Sequence, residues 1–363
     1  MSKAAQLAAL IGSGQAQGNK NLIINGKFSI FQRGTGATTV NGNDVFAADR
    51  FKGWANGGGT YTVEQSTDIP NNEFEYSAKL TNTGVDSSVA AGDNYRWATD
   101  LEGYNVSPLG YGHSDAKAVT LSFWVKSSLA GTYCGALYST TASRHYIYEY
   151  TISSANTWEK KTITVSSGDT TGSWNKTNGN GLRVYWGFGS GSNYQGSAGA
   201  WTAGEKWETS NQAAWIGSAS ATFFITGVSL EIGDVATTFE HESFAATLQK
   251  CQRYYFDTAS AVNGKSGTGI NGGFIFKAFN GNEAAGYNAF PVTMRAVPTI
   301  TCNDNAGTQG KLHRYAHSDV GSNIAFANMS ASGVTACGET NTFNTASGGL
   351  NIFGGRIRAS AEL

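Results

Sequence analysis

The residues best suited to chemistry lie between Gly189 and Ser220, where Tyr194, Trp201, Trp207 and Trp215 are spread through about thirty residues with no helical or strand period. A flat aromatic ring can cover the apolar face of a pyranose while neighbouring Asn and Gln side chains bond its hydroxyls, so one or two of the four rings could form a sugar-stacking platform. Loops of this length without internal structure are uncommon and tend to be functional. The same rings could instead staple a long loop onto the domain beneath it, and the sequence leaves both readings open.

Other chemistries fail on spacing. Gly264, Lys265 and Ser266 spell the end of a phosphate-cradling loop, but the first glycine of that motif would fall at Ala259 and the strand-to-helix context is missing. His113, Ser114, Asp115 and His317, Ser318, Asp319 hold the residue types of a hydrolytic triad. Triad members converge from separated segments, however, and adjacent side chains cannot form the relay. Glycan cleavage needs two carboxylates about 5–10 Å apart; Glu102, Glu149, Asp169, Glu205 and Glu208 are available, with nothing to single out a pair. Asp49 beside Arg50 suggests an ion pair or a turn cap, with a calcium ligand as the alternative. His241, His313 and His317 lack zinc spacing. The chain is therefore expected to be non-enzymatic and to need no cofactor or metal.

Composition sets the frame that must position these residues. Charged residues make up 14% of the 363 and glycine contributes 47 of them, against about 25% and 7% in ordinary soluble domains. Long helices are disfavoured; many short strands joined by Gly and Asn turns are favoured, and the fold class expected is all-β. A net charge of -1 without runs of one sign argues against nucleic acid or an anionic membrane as partner. No apolar run reaches the length of a membrane span, and the first seventeen residues make a poor secretion signal because Gln6 interrupts their short apolar stretch. The four cysteines, Cys134, Cys251, Cys302 and Cys337, form no metal or redox motif; Cys302 and Cys337 share the last domain and could pair.

Four segments follow from the periodicity. Residues 1–20 form a helix-competent arm ending in linker-like GSGQAQGNK. Residues 21–243 alternate as a sandwich: a strand, an Asn25-Gly26 turn and a second apolar run come first. Val119, Leu121, Phe123 and Val125 then face one way, with Thr120, Ser122 and Lys126 opposite and Trp124 breaking the polar face. Tyr146 to Tyr150 and Leu182 to Phe188 read as further half-buried strands. Thr222 to Ile232 is the last strand, closed by Gly233 and Asp234, and after it the period switches from two to 3.6: Phe244, Leu248, Cys251 and Tyr255 mark a linking helix over 244–256. Residues 257–363 return to short strands, at Gly273 to Phe279, Thr299 to Cys302, Asn323 to Ala327 and Ile352 to Ala359, as a second, smaller β-sandwich. Its Tyr315, between His313 and His317, is a further candidate for an exposed binding ring.

Several of these stretches carry a resemblance. NLIINGKFSIFQRG from Asn21, VFAADRF at Val45 to Phe51, TLSFWVKSS at Thr120 to Ser128, the Trp158 to Val165 strand and TFFITGVSLEIGDVATTFEHESFAATLQKCQRYY ending at Tyr255 occur in the order found in phage and prophage virion proteins usually called tail fibre proteins. The chain resembles that family over Asn21 to about Tyr255, and more loosely through FPVTMRAVPTIT at Phe290 to Thr301 and the final RASAEL. The resemblance implies a jelly-roll sandwich like those of carbohydrate-binding modules, carried on a virion assembled in the host cytoplasm. It also implies a homotrimer, attached to other tail or capsid proteins through the N-terminal arm and directed at a host surface glycan. In a trimer the linking helix could pack around the threefold axis instead of between the domains. Members carry a comparable loop, which favours stapling for the Trp-bearing segment. A capsid decoration or head fibre protein is the alternative in the same setting, and a carbohydrate-active enzyme or its binding module the alternative outside it.

Overall fold

The computed structural model describes residues 21–258, 274–278, 283–303, 309–314, 319–320, 325–338 and 352–363. The arm over residues 1–20, the Gly264 to Ser266 loop, Tyr315 and His317, and the side chains of His313 and Cys337 lie outside them. The described residues fall into two compact units: 21–28, 37–45 and 51–242 make the first, and 29–36, 46–50 and those from 243 onward make the second.

Thirteen strands build the first unit: β1 (Thr38–Val40), β2 (Gly42–Phe46), β3 (Phe51–Asn56), β4 (Thr60–Ser66), β5 (Ser77–Gly84), β6 (Asn94–Glu102), β7 (Val119–Ser127), β8 (Gly131–Ser139), β9 (Arg144–Ile152), β10 (Glu159–Val165), β11 (Asn180–Gly187), β12 (Trp201–Ala203) and β13 (Thr222–Ile232). They form a six-stranded sheet in the order β1-β4-β5-β13-β7-β10 and a seven-stranded sheet in the order β12-β9-β8-β11-β6-β3-β2. The all-β sandwich is the fold expected from composition and alternation. On β7, Val119, Leu121, Phe123 and Val125 are each no more than 1% exposed and face the other sheet. There Phe123 meets Tyr150 of β9 at 5.1 Å and Trp186 of β11 at 5.8 Å, both edge to face. Burying rings of this size contributes about 2–3 kcal/mol each, which is what clamps the two sheets together.

Sequence and structure part company at the start. Asn25 does take the left-handed turn, with φ 62°, but the residues on either side of it form no strand. Leu22 N donates to Leu230 O at 2.9 Å and Val228 N to Gly26 O at 2.9 Å, and the Asn21 amide bonds both Val228 O and Leu230 N at 3.0 Å. The segment thus lines the margin of β13 where that strand slips register between Thr226 and Ser229. A β-carbon on Gly26 would stand 2.1 Å from Val228 O, so only glycine allows the approach.

The second unit opens with α1 (Phe244–Gln252), capped by Ser243, whose side chain accepts from Ala246 N at 3.3 Å. The helix stops at Gln252, short of the 256 expected, and Tyr255, read as its last apolar position, is a buried residue opening the next strand. Of the rest of the stripe Cys251 is buried and Leu248 half-buried, whereas Phe244 is 46% exposed. Nine strands follow: β14 (Tyr255–Asp257), β15 (Phe274–Ala278), β16 (Glu283–Ala289), β17 (Thr299–Asn303), β18 (Leu312–Arg314), β19 (Asp319–Val320), β20 (Ala325–Ser330), β21 (Gly333–Gly338) and β22 (Ile352–Ser360). The hub is β22, whose last five residues pair with β17 and whose first four pair with β15. Asp49 belongs to this unit. Its carboxylate accepts from Gln32 N and Gln32 Nε2, both at 2.6 Å, and burial pushes its pKa up to about 6. It fastens a buried turn, while Arg50 pairs with Glu362.

Candidate functional site

The four rings nominated from sequence have three different fates, all within the first unit. Trp207 is fully buried. It stacks on Tyr194 at 4.2 Å, packs against Tyr185 of β11 at 5.5 Å, and donates from Nε1 to Ser190 Oγ at 3.0 Å. Trp215 is fully buried too, between Phe188 at 4.7 Å and Tyr61 at 6.0 Å in the sandwich core. Neither can offer a face to a sugar, which corrects the expectation for both: the loop brings them inward because their apolar area is worth more against the sheet than in water. Tyr194 is half-buried with Trp207 against its ring.

Trp201 is the exception. It opens β12, the edge strand, paired with Tyr146 of β9, and like Tyr194 it is half-buried, but its ring borders an open cleft. Tyr111, Tyr146 and Trp174 surround it at 5.4, 5.5 and 5.6 Å, and its Nε1 donates to Ser167 O at 3.0 Å. The ring lines a cleft of about 320 Å³ whose other walls are Arg144, Tyr146, residues 166–171, Gly199 and Ala200. Gly168 permits this closeness, since a β-carbon there would stand 2.6 Å from Tyr111 Cε1.

The polar side of the cleft is preorganised. Arg144 donates from Nε to Asp169 Oδ2 at 2.6 Å and from Nη2 to Asp169 Oδ1 at 3.2 Å, and Thr171 adds its N–H at 3.0 Å and its hydroxyl at 2.8 Å. Burial opposes ionisation of Asp169, but the bonds from Arg144 and Thr171 outweigh it and hold the carboxyl below its ordinary range. The fork fixes the Arg144 guanidinium beside the ring, and the Ser and Thr residues of 166–171 add hydroxyls. An aromatic ring flanked by fixed donors and acceptors suits a polyhydroxylated ligand.

Asp169 is the one carboxylate lining this cleft. Glu205 pairs with Arg96 at 3.2 Å, Glu149 accepts from Asn211 at 3.0 Å, and Glu102 is buried. Glu208 is fully buried and accepts from Ser190 N at 2.6 Å and Gly189 N at 3.1 Å; burial pushes its pKa up to about 7. Among the described residues no group of three His, Cys, Asp or Glu is placed to hold a metal, and no helix is long and apolar enough to cross a membrane.

Sequence reasoning missed Arg144 and Tyr146 as site residues and saw Asp169 only as one acid among several. The available signal was the SSGDTT run at 166–171, a cluster of turn-forming residues directly after a strand.

No protein-family model matches this chain, and no curated protein matches it. Solved structures do. The enzymatically active domain of tailspike protein 4 from bacteriophage CBA120 matches 59% of this chain at 13% identity and a TM-score of 0.31, and the match spans 21% of that chain. The family 11 carbohydrate-binding module from Clostridium thermocellum, in complex with a β-1,3-1,4-mixed-linked tetrasaccharide, matches 56% of this chain and 99% of its own at 12% identity and a TM-score of 0.30. The module TmCBM61, in complex with β-1,4-galactotriose, matches 59% and 99% at 11% identity and a TM-score of 0.25.

Proposed function

We propose that this chain is a non-enzymatic virion protein of a tailed phage, a tail fibre or tail-associated protein that attaches to a host surface glycan through the cleft at Trp201. The observation that carries the binding role is the Trp201 ring lining a cleft beside the locked Arg144–Asp169 fork. The virion setting rests on the ordered motifs from Asn21 to Tyr255, and with it come a homotrimer and attachment through residues 1–20. The absence of a catalytic role is supported by the single carboxylate of the cleft, where hydrolysis of a glycosidic bond needs two.

Titration of the purified protein with host surface polysaccharide tests the binding role. Trp201→Ala is expected to weaken binding about tenfold or more while the protein stays folded; unchanged affinity in the folded variant would refute the assignment. Release of reducing ends during the same incubation would move the protein to the carbohydrate-active enzymes. Antibody labelling of intact particles distinguishes a tail fibre from a capsid decoration or head fibre.

A further inference from the structure

Trp124, the ring that breaks the polar face of β7, is not part of the Trp201 cleft. It stands on the outer face of the six-stranded sheet, opposite Lys160 of β10 in the register, and is half-buried. With Ser122 and Lys160 it forms one side of a cleft of about 300 Å³, closed on the other side by Glu73, Phe74 and residues 236–239.

The construction of this cleft is specific. β13 slips register between Thr226 and Ser229, and at the slip Gly227 adopts φ 63°. A β-carbon on Gly227 would stand 2.7 Å from Phe74 Cζ and 3.3 Å from Trp124 Cδ1, so the missing side chain is what lets the two rings converge. Phe74 is itself held by Phe239 at 5.4 Å and His241 at 5.5 Å, giving a rigid apolar wall. Lys160, Glu73 and Thr238 are exposed around the opening. The neighbouring Lys126 is already committed to Asp68.

We propose that this cleft is a second saccharide-binding site, taking a neutral hexopyranose unit. Trp124 supplies the stacking face, Phe74 and Phe239 the apolar wall, and the hydroxyls meet Lys160, Glu73 and Thr238. One positive and one negative group at the rim cancel in net charge yet offer both donors and acceptors, which favours a neutral polyhydroxylated ligand over an acidic or basic one. The site is independent of the Trp201 cleft, so the chain presents two low-affinity contacts whose combined avidity exceeds either.

The test is calorimetric titration of the full chain with maltotetraose, cellotetraose and β-1,4-galactotetraose, comparing wild type with Trp124→Ala, Trp201→Ala and the double variant. Two sites per chain are expected for at least one of these sugars, with Trp124→Ala reducing the stoichiometry from two to one and the double variant abolishing binding. A folded Trp124→Ala protein with unchanged stoichiometry overturns the proposal, as does a wild-type protein that binds none of the sugars at millimolar concentration. Loss of binding in Trp124→Ala with none in Trp201→Ala would sustain this site and remove the other. Should Trp124→Ala fail to fold, Thr238→Trp, which fills the cleft from an exposed wall, is expected to give the same reduction.

Discussion

The outer faces of the two sheets in the first unit carry similar residues and are treated in opposite ways. On the seven-stranded sheet, Trp54, Arg96, Asp100 and Tyr185 are all nine-tenths or more buried. The Arg96 guanidinium lies 4.0 Å from the Trp207 ring, 4.6 Å from Trp54 and 4.7 Å from Tyr185. Asp100 is bound by Lys52 at 2.7 Å and by Arg183. The loop that carries Trp207 closes over this layer. On the six-stranded sheet, Trp124 and Lys160 keep solvent access and border an open cleft. Aromatic and cationic side chains on a sheet surface therefore say little about function until it is known whether a loop covers them; covered, they become stabilising cation–π and ion-pair contacts.

That contrast can be broken or sharpened by experiment. Trp207→Ala removes a fully buried ring from the covered face and is expected to cost about 3–5 kcal/mol in denaturant unfolding; a cost under about 1 kcal/mol would mean the loop does not seal the face. Asp100→Asn leaves Lys52 and Arg183 without their shared anion and is expected to cost about 3 kcal/mol. Burial opposes the Asp100 charge, but Arg183 and Lys52 outweigh it and hold its pKa well below the ordinary carboxylate range. Its contribution is thus present above the unfolded value of 3.8 and lost as pH falls below it.

Glu208 acts with the opposite sign. Its folded pKa of about 7 lies above the ordinary 4.5, so the folded state holds the proton more tightly. The resulting stability is present below pH 4.5 and is lost as pH rises towards 7, by at most about 3 kcal/mol. Unfolding measured across this window should show that fall, and Glu208→Gln should flatten it. The smallest effect belongs to the open face: Trp124→Ala, at a half-buried ring, is expected to cost about 1–2 kcal/mol. A larger loss would place Trp124 among the stabilising rings and weaken the contrast.

Much of the inner face of the sandwich was legible because its signal is local. Val119, Leu121, Phe123 and Val125 alternate in sequence and face the core, although Thr120 and Ser122 between them are buried as well. Phe244, Leu248 and Cys251 announced a helix, which ends at Gln252 so that Tyr255 opens β14 instead. The outer faces were not legible. Leu182 to Phe188 reads as a half-buried strand, yet its outward Tyr185 has no exposure at all, because its cover, Trp207, arrives from a segment about twenty residues later with no period of its own. The same long-range docking separates Trp201 from Trp207: six positions apart, the first opens the edge strand β12 while the second folds over the face of the sheet onto Tyr185. Arg144 and Asp169 are joined by a contact spanning 25 positions, which no pattern within β9 or within the 166–171 turn encodes.

The sharing of early residues with the second unit has a consequence for how the protein is made. Gln32 and Asp49 are bonded to each other, but Gln32 also donates to Tyr255 O at 2.7 Å, 223 positions away, and Arg33 meets Glu362 across 329 positions. A ribosome releases Ile30 and Phe31, both buried in the finished protein, on the order of 10 s or more before their partners emerge. During translation these apolar side chains must wait in water or on a chaperone. Any genetic exchange that replaced the chain after Ser243 alone would leave 29–36 and 46–50 fitted to a unit no longer there.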